Sequence, residues 1–313
     1  MIVTRAPLRI PLGGGGTDFP SYYQRYGGYI LGFALNKAVH VVLHDTIDKK
    51  IRLKYRKNEE VDDVDQLENR IAAEALKWYG VTSGVEIATF SDVPNVSGLG
   101  GSSSFCVALV TALRYKLGMK LDKQEIFASA YDIERNKAGQ PGGMQDQYFA
   151  TFGGAWELFL KDVFERTRIT VSQIVPRMKL VYTGTSRTDL GIADRQSKKS
   201  DSTDPSMIQN LTQVKILGLR IRDYIRRGDY ENIGKLTHEH WERKKERDSS
   251  VTNTEVDKLY SQALEGGAIG GKLLGLGGGG YLLLFTNKNI PGLSCIPVGV
   301  DSEGCKVVYH NGR

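Results

Sequence analysis

The run Pro94-Asn95-Val96-Ser97-Gly98-Leu99-Gly100-Gly101-Ser102-Ser103-Ser104 constrains this chain more than any other segment. It lies between a strand-like stretch, Val85 to Phe90, and an apolar helical stretch, Phe105 to Leu117. Glycines let a backbone turn tightly and approach a ligand closely. The serines that follow open a helix, where unpaired N–H groups and the dipole favour an anion. Three hydroxyls at that point can also reach a phosphate or a metal ion. The local chemistry is that of a phosphate site; the plainer alternative is a solvent-exposed Gly/Ser turn.

The chain has 313 residues, enough for two modest domains or one large one. Hydrophobic residues make up 40% and charged residues 25%, ordinary values for a soluble globular protein. Cys106, Cys295 and Cys305 are few, odd in number and not at metal-ligand spacing. They fit a reducing compartment, with neither a disulfide framework nor a zinc site. The segment Met1 to Leu12 lacks the long apolar core of a secretory leader, and no stretch approaches the length of a membrane span. The expectation is a cytoplasmic protein with no membrane partner. The net charge of +6 permits an anionic small substrate. No basic stripe with interleaved aromatics points to nucleic acid. Arg243-Lys244-Lys245-Glu246-Arg247 is the densest basic cluster, and its interleaved acid makes it read as a solvated helix face.

Val39 to Ile47 and Ile51 to Tyr55 read as a strand pair joined by the turn Asp48-Lys49-Lys50. Leu67, Ile71, Ala75 and Trp78 lie at helical spacing, and Gly80 ends that helix. Asp122 with Glu125 forms a capping-box pattern before a helix expected to reach about Lys137 and stop at Gly139. Trp156 to Leu160 and Met178 to Thr183 read as strands. The polar stretch Gln196 to Ser206 reads as an exposed loop or hinge. Helices follow at about 206–227, 230–247 and 254–265, then strands at Tyr281 to Phe285, Ile296 to Val300 and Lys306 to Tyr309. Helices and strands mix without a βαβ rhythm, so the class is α+β. The domains are expected at residues 1–170 and 171–313.

Two further loops carry glycine. Pro11 to Asp18 leaves bare backbone for a small molecule, with Asp18 as an acceptor pair for sugar hydroxyls. The alternative makes Asp18 the N-cap of a helix from Pro20. Gly275 to Gly280 matches G-x-G-x-x-G, but it precedes a strand where a dinucleotide fingerprint opens a helix. The P-loop-like run Gly266 to Lys272 has Leu273 where a metal-binding Ser or Thr is needed, and is rejected. Glu134 near a helix end and Asp146 after the Gly139 to Gly143 turn could converge as one metal ligand and one base. The alternative leaves Glu134 on a helix surface and Asp146 as a cap.

Together these segments resemble the GHMP kinase superfamily. Its three motifs stand in order at Ala6-Pro7-Leu8-Arg9 through Asp18, Pro94 to Ser104 and Lys272 to Phe285. The resemblance implies a two-domain fold: a half like the second domain of ribosomal protein S5, then a ferredoxin-like half. Within the superfamily the chain looks most like D-glycero-D-manno-heptose 7-phosphate kinases. It carries Gly-Gly-Gly-Gly-Thr-Asp where galactokinase has Gly-Glu-His-Thr-Asp, and Gly142-Gly143-Met144-Gln145-Asp146-Gln147 has the same flavour.

The resemblance implies ATP and Mg²⁺ as cofactors and transfer of a phosphoryl group to a sugar hydroxyl. Ser102 and Glu134 would hold the metal. Gly98, Gly100, Gly101, Ser102, Ser103 and Ser104 would line the ATP phosphates. Asp146 would take or orient the hydroxyl proton beside Arg9. An aspartate is a weak base at neutral pH, so Asp146 is expected mainly to orient the hydroxyl and to accept its proton late. Asp18, Gly16, Thr17, Gly143 and Gly278 would bind the sugar, and Arg187 and Lys37 are candidates for its phosphate. A kinase for a free sugar such as L-fucose or galactose, and a non-catalytic sugar sensor, remain as alternatives; a homodimer is one candidate assembly.

Overall fold

The computed structural model describes residues 1–94, 97–161, 163–185, 191–201 and 204–312. Its organising helix is Gly101–Lys116. Residues Phe105 to Leu113 are buried all round, as an apolar sequence without a polar face requires. One side packs on an eight-stranded sheet running Lys306–His310, Ile2–Gly13, Gly28–Asp45, Val85–Ser91, Ile51–Lys54 and Asn58–Val61. The first half of Gly28–Asp45 also pairs with Ala155–Leu160, which continues to Phe164–Arg168. A second, four-stranded antiparallel sheet runs Cys295–Pro297, Met178–Tyr182, Tyr281–Phe285 and Gly270–Leu273. The architecture is α+β, as expected.

Helices Pro205–Arg227 and Tyr230–Lys245 lie between the sheets, and Leu217, Ile221 and Ile225 share one core with Ile10, Leu12 and Phe285. The crossing of Pro205–Arg227 over the first strand needs two glycines. A Cβ on Gly13 would sit 2.5 Å from the Gly218 Cα, and one on Gly218 would sit 3.0 Å from the Gly14 nitrogen. The chain's end then returns to its beginning. Asp301 N–H bonds the Ala34 carbonyl and Lys306–His310 pairs with Ile2–Arg5, a crossing that the expected division after residue 170 does not anticipate.

Three local expectations change. Val39 to Ile47 and Ile51 to Tyr55 are strands but not partners: Val85–Ser91 inserts between them, antiparallel to one and parallel to the other. The Asp48–Lys50 turn closes no hairpin because its backbone bonds Gly84 instead: Gly84 N–H donates to the Lys49 carbonyl and Thr46 N–H to the Gly84 carbonyl. Gln196 to Asp201 is the second half of helix Ile192–Asp201, not a loop; Ile192 and Gln196 face inward while Asp194, Lys198 and Lys199 are exposed. Trp78 does not join the buried stripe of its helix and is 45% exposed.

Candidate active site

The Gly98–Gly101 turn is built by two left-handed residues, Gly98 at φ 77° and Gly100 at φ 82°, a region other residues rarely enter. Gly100 is the N-cap of the central helix. The first amide bonded back into the helix is that of Ser104, which donates to the Gly100 carbonyl. The amides of Gly101, Ser102 and Ser103 therefore have no intrahelical acceptor and face outward. No acidic residue occupies this first turn. The third glycine loop locks onto the first: a Cβ on Gly275 would lie 2.5 Å from the Gly98 Cα, and one on Gly280 2.3 Å from the Ser97 carbonyl oxygen.

These loops border a cavity of about 380 Å³, of the size that holds a small molecule. Three carboxylates line it, Glu134, Asp146 and Asp18. Helix Lys123–Tyr131 widens into a π-turn, Asp132–Lys137, of a kind that often marks functional positions. That turn drives Glu134 inward to full burial. Ser102 Oγ donates to Glu134 Oε1 at 3.0 Å, and Gln147 Nε2 donates to Oε2 at 2.6 Å. The surface-helix alternative for Glu134 is thereby removed. Asp146, in the first turn of Gln145–Phe152, is gripped at both oxygens by Arg9: Nε to Oδ1 at 2.7 Å and Nη2 to Oδ2 at 2.9 Å. Arg9 Nη1 donates in turn to the Gly98 carbonyl at 2.6 Å. One side chain thus ties the first strand, the glycine turn and the Asp146 helix together.

Asp18 is buried and does not cap Pro20–Tyr26, whose N-cap is Phe19. Its carboxylate accepts from the Gln145 backbone and Nε2, each at 3.1 Å. Burial pushes the Asp18 carboxyl above its ordinary range, partly opposed by the Gln145 amide. Gly143 packs so closely that a Cβ there would lie 2.1 Å from Asp18 Cγ. The Arg135 guanidinium bonds the Gly143 carbonyl at 3.0 Å and braces this turn.

The opposite wall is basic, and sequence reasoning missed it. His240, Lys244 and Arg247 recur at intervals of four and three, along one face of Tyr230–Lys245 and just past its end, and Lys272 joins them from Gly270–Leu273. All four are buried, contrary to the solvated face expected for Lys244 and Arg247. Lys244 Nζ donates to the carbonyls of Leu273 and Gly275, Lys272 Nζ to that of Leu12, and Arg247 to the Gly15 carbonyl and to Asn210 Oδ1. Every one of these acceptors is neutral. Burial, together with the neighbouring cations, depresses Lys272 to about 7 and drives Lys244 and His240 well down; burial alone lowers Arg247 to about 10, partly opposed by Asp18 and Glu246. The spacing was visible in the sequence, but the exposed charges Glu242, Arg243 and Glu246 mask it.

Of the residues singled out in the sequence, Arg9, Gly16, Asp18, Gly98, Gly100, Gly101, Ser102, Glu134, Gly143 and Asp146 converge on this cavity. Thr17 does not: its hydroxyl donates to the Tyr29 carbonyl and accepts from the Tyr29 amide. Ser104 does not either; its hydroxyl donates to the carbonyls of Pro7 and Gly100. Ser103 is buried, with Arg135 donating to its Oγ at 3.4 Å. Gly277 and Gly279 line the cavity, whereas Gly278 turns away and its amide donates to the Val251 carbonyl. Lys37 sits where the second strand bulges opposite Leu8, off the cavity wall. Arg187 lies outside the described residues.

The donor set of Ser102 and Glu134 suits Mg²⁺, a hard cation held by one or two carboxylates together with phosphate oxygens. Both are oxygen ligands, and they stand 3.0 Å apart beside the outward-facing amides of the helix N-terminus.

The GHMP kinases N terminal domain model matches residues 67–154, and the GHMP kinases C terminal model matches residues 221–290. The D-glycero-alpha-D-manno-heptose 7-phosphate kinase of Campylobacter jejuni is 30% identical, over 91% of this chain and 89% of its own. The L-fucokinase/L-fucose-1-P guanylyltransferase of Bacteroides fragilis is 26% identical over 90% of this chain, which spans 34% of that protein. A crystal structure of a D-glycero-D-manno-heptose 1-phosphate kinase from Bacteroides thetaiotaomicron shares the fold, with a TM-score of 0.78 at 23% identity over 100% of both chains. Among the described residues, no helix is long and apolar enough to cross a membrane.

Proposed function

The chain belongs to the GHMP kinases, ATP-dependent phosphotransferases, and on that premise we propose that it phosphorylates the anomeric hydroxyl of D-glycero-D-manno-heptose 7-phosphate. The product is the 1,7-bisphosphate. The observation that carries the substrate is the likeness to the Campylobacter heptose 7-phosphate kinase along nearly the whole of both chains. The geometry supports the division of labour. Such transfer depends on positioning and charge stabilisation. The amides of Gly101 to Ser103 would receive the ATP phosphates. Ser102 and Glu134 would hold Mg²⁺, which neutralises phosphate charge when bound.

Asp146, fixed at both oxygens by Arg9, would accept the hydrogen bond of the attacking hydroxyl. The sugar oxygen forms its bond to the γ-phosphorus as the bond to the β–γ bridging oxygen breaks. ADP departs with that electron pair, and the hydroxyl proton passes to Asp146 late and then to solvent. Asp18, with Gln145 bonded to both its oxygens, would orient the ring hydroxyls from the side of the Gly143 turn.

The test is ADP release coupled to a spectrophotometric readout, with Mg²⁺-ATP and a panel of acceptors: D-glycero-D-manno-heptose 7-phosphate, mannose 6-phosphate, L-fucose, galactose and mevalonate. Selective turnover of the heptose phosphate supports the proposal. Faster turnover of L-fucose or another free sugar refutes the substrate and keeps the transfer chemistry. Tight sugar binding without turnover on any acceptor refutes both and favours a sensor.

A further inference from the structure

We propose that the buried basic wall formed by Lys244, Arg247, Lys272 and His240 is the subsite for the phosphate that the sugar already carries, and so selects a phosphorylated acceptor over a free one. The inference rests on reading the substrate as a sugar phosphate and assigns that phosphate a place.

Four observations on different elements meet there. The cations are donated by the Tyr230–Lys245 helix, the residue just beyond it and the Gly270–Leu273 strand, and their acceptors are all neutral. Buried charge is retained only where something compensates it, and among the described residues no carboxylate is bonded to any of the three; Asp18 and Glu246 act on Arg247 only through space. Donors and acceptors are left over: Arg247 Nη2, Gln196 Nε2 and both ring nitrogens of His240 are buried without a partner among the described residues. The facing loop is bare. A Cβ on Gly15 would meet nothing within 4 Å, while one on Gly16 would lie 2.7 Å from Arg247 Nη1, so any side chain there would crowd the guanidinium. The remaining buried acid nearby, Asp18, already has its carboxyl pushed upward by burial. A phosphate monoester supplies the missing negative charge and several acceptors at once, and a guanidinium with two ammonium groups is the usual company for it.

The ATP phosphates have a separate receiver in the amides of Gly101 to Ser103 and the Ser102–Glu134 pair. The basic wall instead abuts the loop of Gly15, Gly16 and Asp18. An acceptor sugar lying between Asp146 and Asp18 would extend its far end toward Arg247. His240, neutral in this setting, can accept a proton-bearing phosphate oxygen or donate to an ionised one, depending on tautomer.

The experiment compares kcat/KM for D-glycero-D-manno-heptose 7-phosphate with that for the unphosphorylated heptose, in the wild type and in Arg247→Gln, Lys272→Met and Arg247→Lys. In parallel, sulfate is titrated calorimetrically into the same proteins with a non-hydrolysable ATP analogue and Mg²⁺ filling the nucleotide site. The expected result is a preference of at least about a hundredfold for the phosphorylated sugar in the wild type, falling below about tenfold in the two neutral variants. KM for ATP should stay within about threefold, and Arg247→Lys should recover part of the preference. Sulfate binding should weaken in step.

An unchanged preference overturns the subsite while leaving the substrate assignment standing. A rise in KM for ATP with the sugar-phosphate KM held overturns it too, and gives the wall to the nucleotide. A wild type that ignores the heptose phosphate sinks the substrate reading, and sulfate then decides the subsite: binding lost in Lys272→Met sustains it, and no binding to the wild type overturns it. Because Arg247 and Lys272 sit on different elements, a folding failure in one variant leaves the other to decide.

Discussion

Asp146→Asn tests the reaction centre with the smallest change in shape. Asp146 receives Arg9 Nε at 2.7 Å and Nη2 at 2.9 Å. The amide keeps one acceptor oxygen and turns an NH₂ toward a guanidinium N–H, so one charge-assisted bond is lost and two donors face each other. Losing such a bond costs about 1.5–3 kcal/mol. Arg9 has only 7% of its side chain exposed and cannot rehydrate, whereas Asp146 at 18% borders the cavity and water softens its loss. A stability loss of about 2 kcal/mol follows, a few degrees in Tm for a chain of this size. The rate should fall much further. A positioned proton acceptor contributes about 10²–10⁴-fold, or about 3–5 kcal/mol of barrier. We expect kcat for the preferred sugar to drop about a thousandfold while KM for ATP stays within about threefold, because the amides at the helix N-terminus are untouched. Steady-state kinetics with both substrates varied, alongside a melting curve, measure all three quantities. A kcat within tenfold of the wild type refutes the role of Asp146, and a large rise in KM for ATP with kcat preserved reassigns it to the nucleotide.

Other perturbations separate the remaining parts. Glu134→Gln keeps a side chain that can still bond Ser102 and Gln147, yet removes the charge; the Mg²⁺ concentration for half-maximal rate should rise at least about tenfold, and an unchanged Mg²⁺ titration excludes Glu134 as a ligand. Gly143→Ala places a Cβ 2.1 Å from Asp18 Cγ, an overpacking worth about 1–3 kcal/mol; Tm should fall and the sugar KM rise while KM for ATP holds, and a variant normal in both Tm and sugar KM contradicts the packing argument. Lys272, held near 7 by burial and by the cations Arg247 and Arg9, with Lys244 and His240 beside it, gives a pH signature. Below about pH 7 the folded and unfolded chains both carry its proton. Between about 7 and 10.5 only the unfolded chain does, so stability without bound anion should rise with pH in that window, by up to about 1 kcal/mol per pH unit. Urea unfolding at pH 7, 8 and 9 should show that rise in the wild type and a flatter one in Lys272→Met; equal slopes contradict it.

Legibility in the sequence followed the range of the interactions. Helices near 206–227, 230–247 and 254–265 were read within two residues of Pro205–Arg227, Tyr230–Lys245 and Thr254–Glu265, because periodicity and caps such as Asp204, Asp229 and Asn253 are local. The glycine turn was legible for the same reason: Gly98 and Gly100 take conformations that few other residues tolerate. Pairing was not local, and the insertion of Val85–Ser91 between two strands linked by a short turn could not be read from alternation alone. Hydroxyls misled most. Ser102 and Ser104 lie two residues apart on one helix, so they point to different sides; one reaches Glu134 and the other returns to backbone carbonyls. Thr17 likewise spends its hydroxyl on Tyr29. Charge misled in the other direction, since Lys244 and Arg247 look like a solvated face until the second sheet covers Lys244 and the Gly15–Gly16 loop and Asn210 cover Arg247.

The buried cations and the glycine turn answer one physical problem from opposite sides of the cavity. A transfer between two phosphate-bearing molecules must bring several negative charges together in a space from which water is largely displaced, where their repulsion is least screened. Backbone amides suit the donor side, because they bind oxyanions without adding charge that would persist when the nucleotide leaves. Fixed cations suit a side whose ligand arrives already charged, and they have a cost when it is absent: Lys272 sits near neutrality, and Lys244 and His240 are pushed toward their uncharged forms. An incoming dianion reverses that shift, so binding should take up protons above about pH 7 and weaken as pH rises. Sulfate remains a dianion across this range and contributes no titration of its own. Its affinity, measured between pH 6.5 and 9 with the nucleotide site filled, should therefore fall with pH in the wild type and flatten in Lys272→Met. An affinity independent of pH in both would mean that the wall holds its charge without help, and the argument from burial would fail with it.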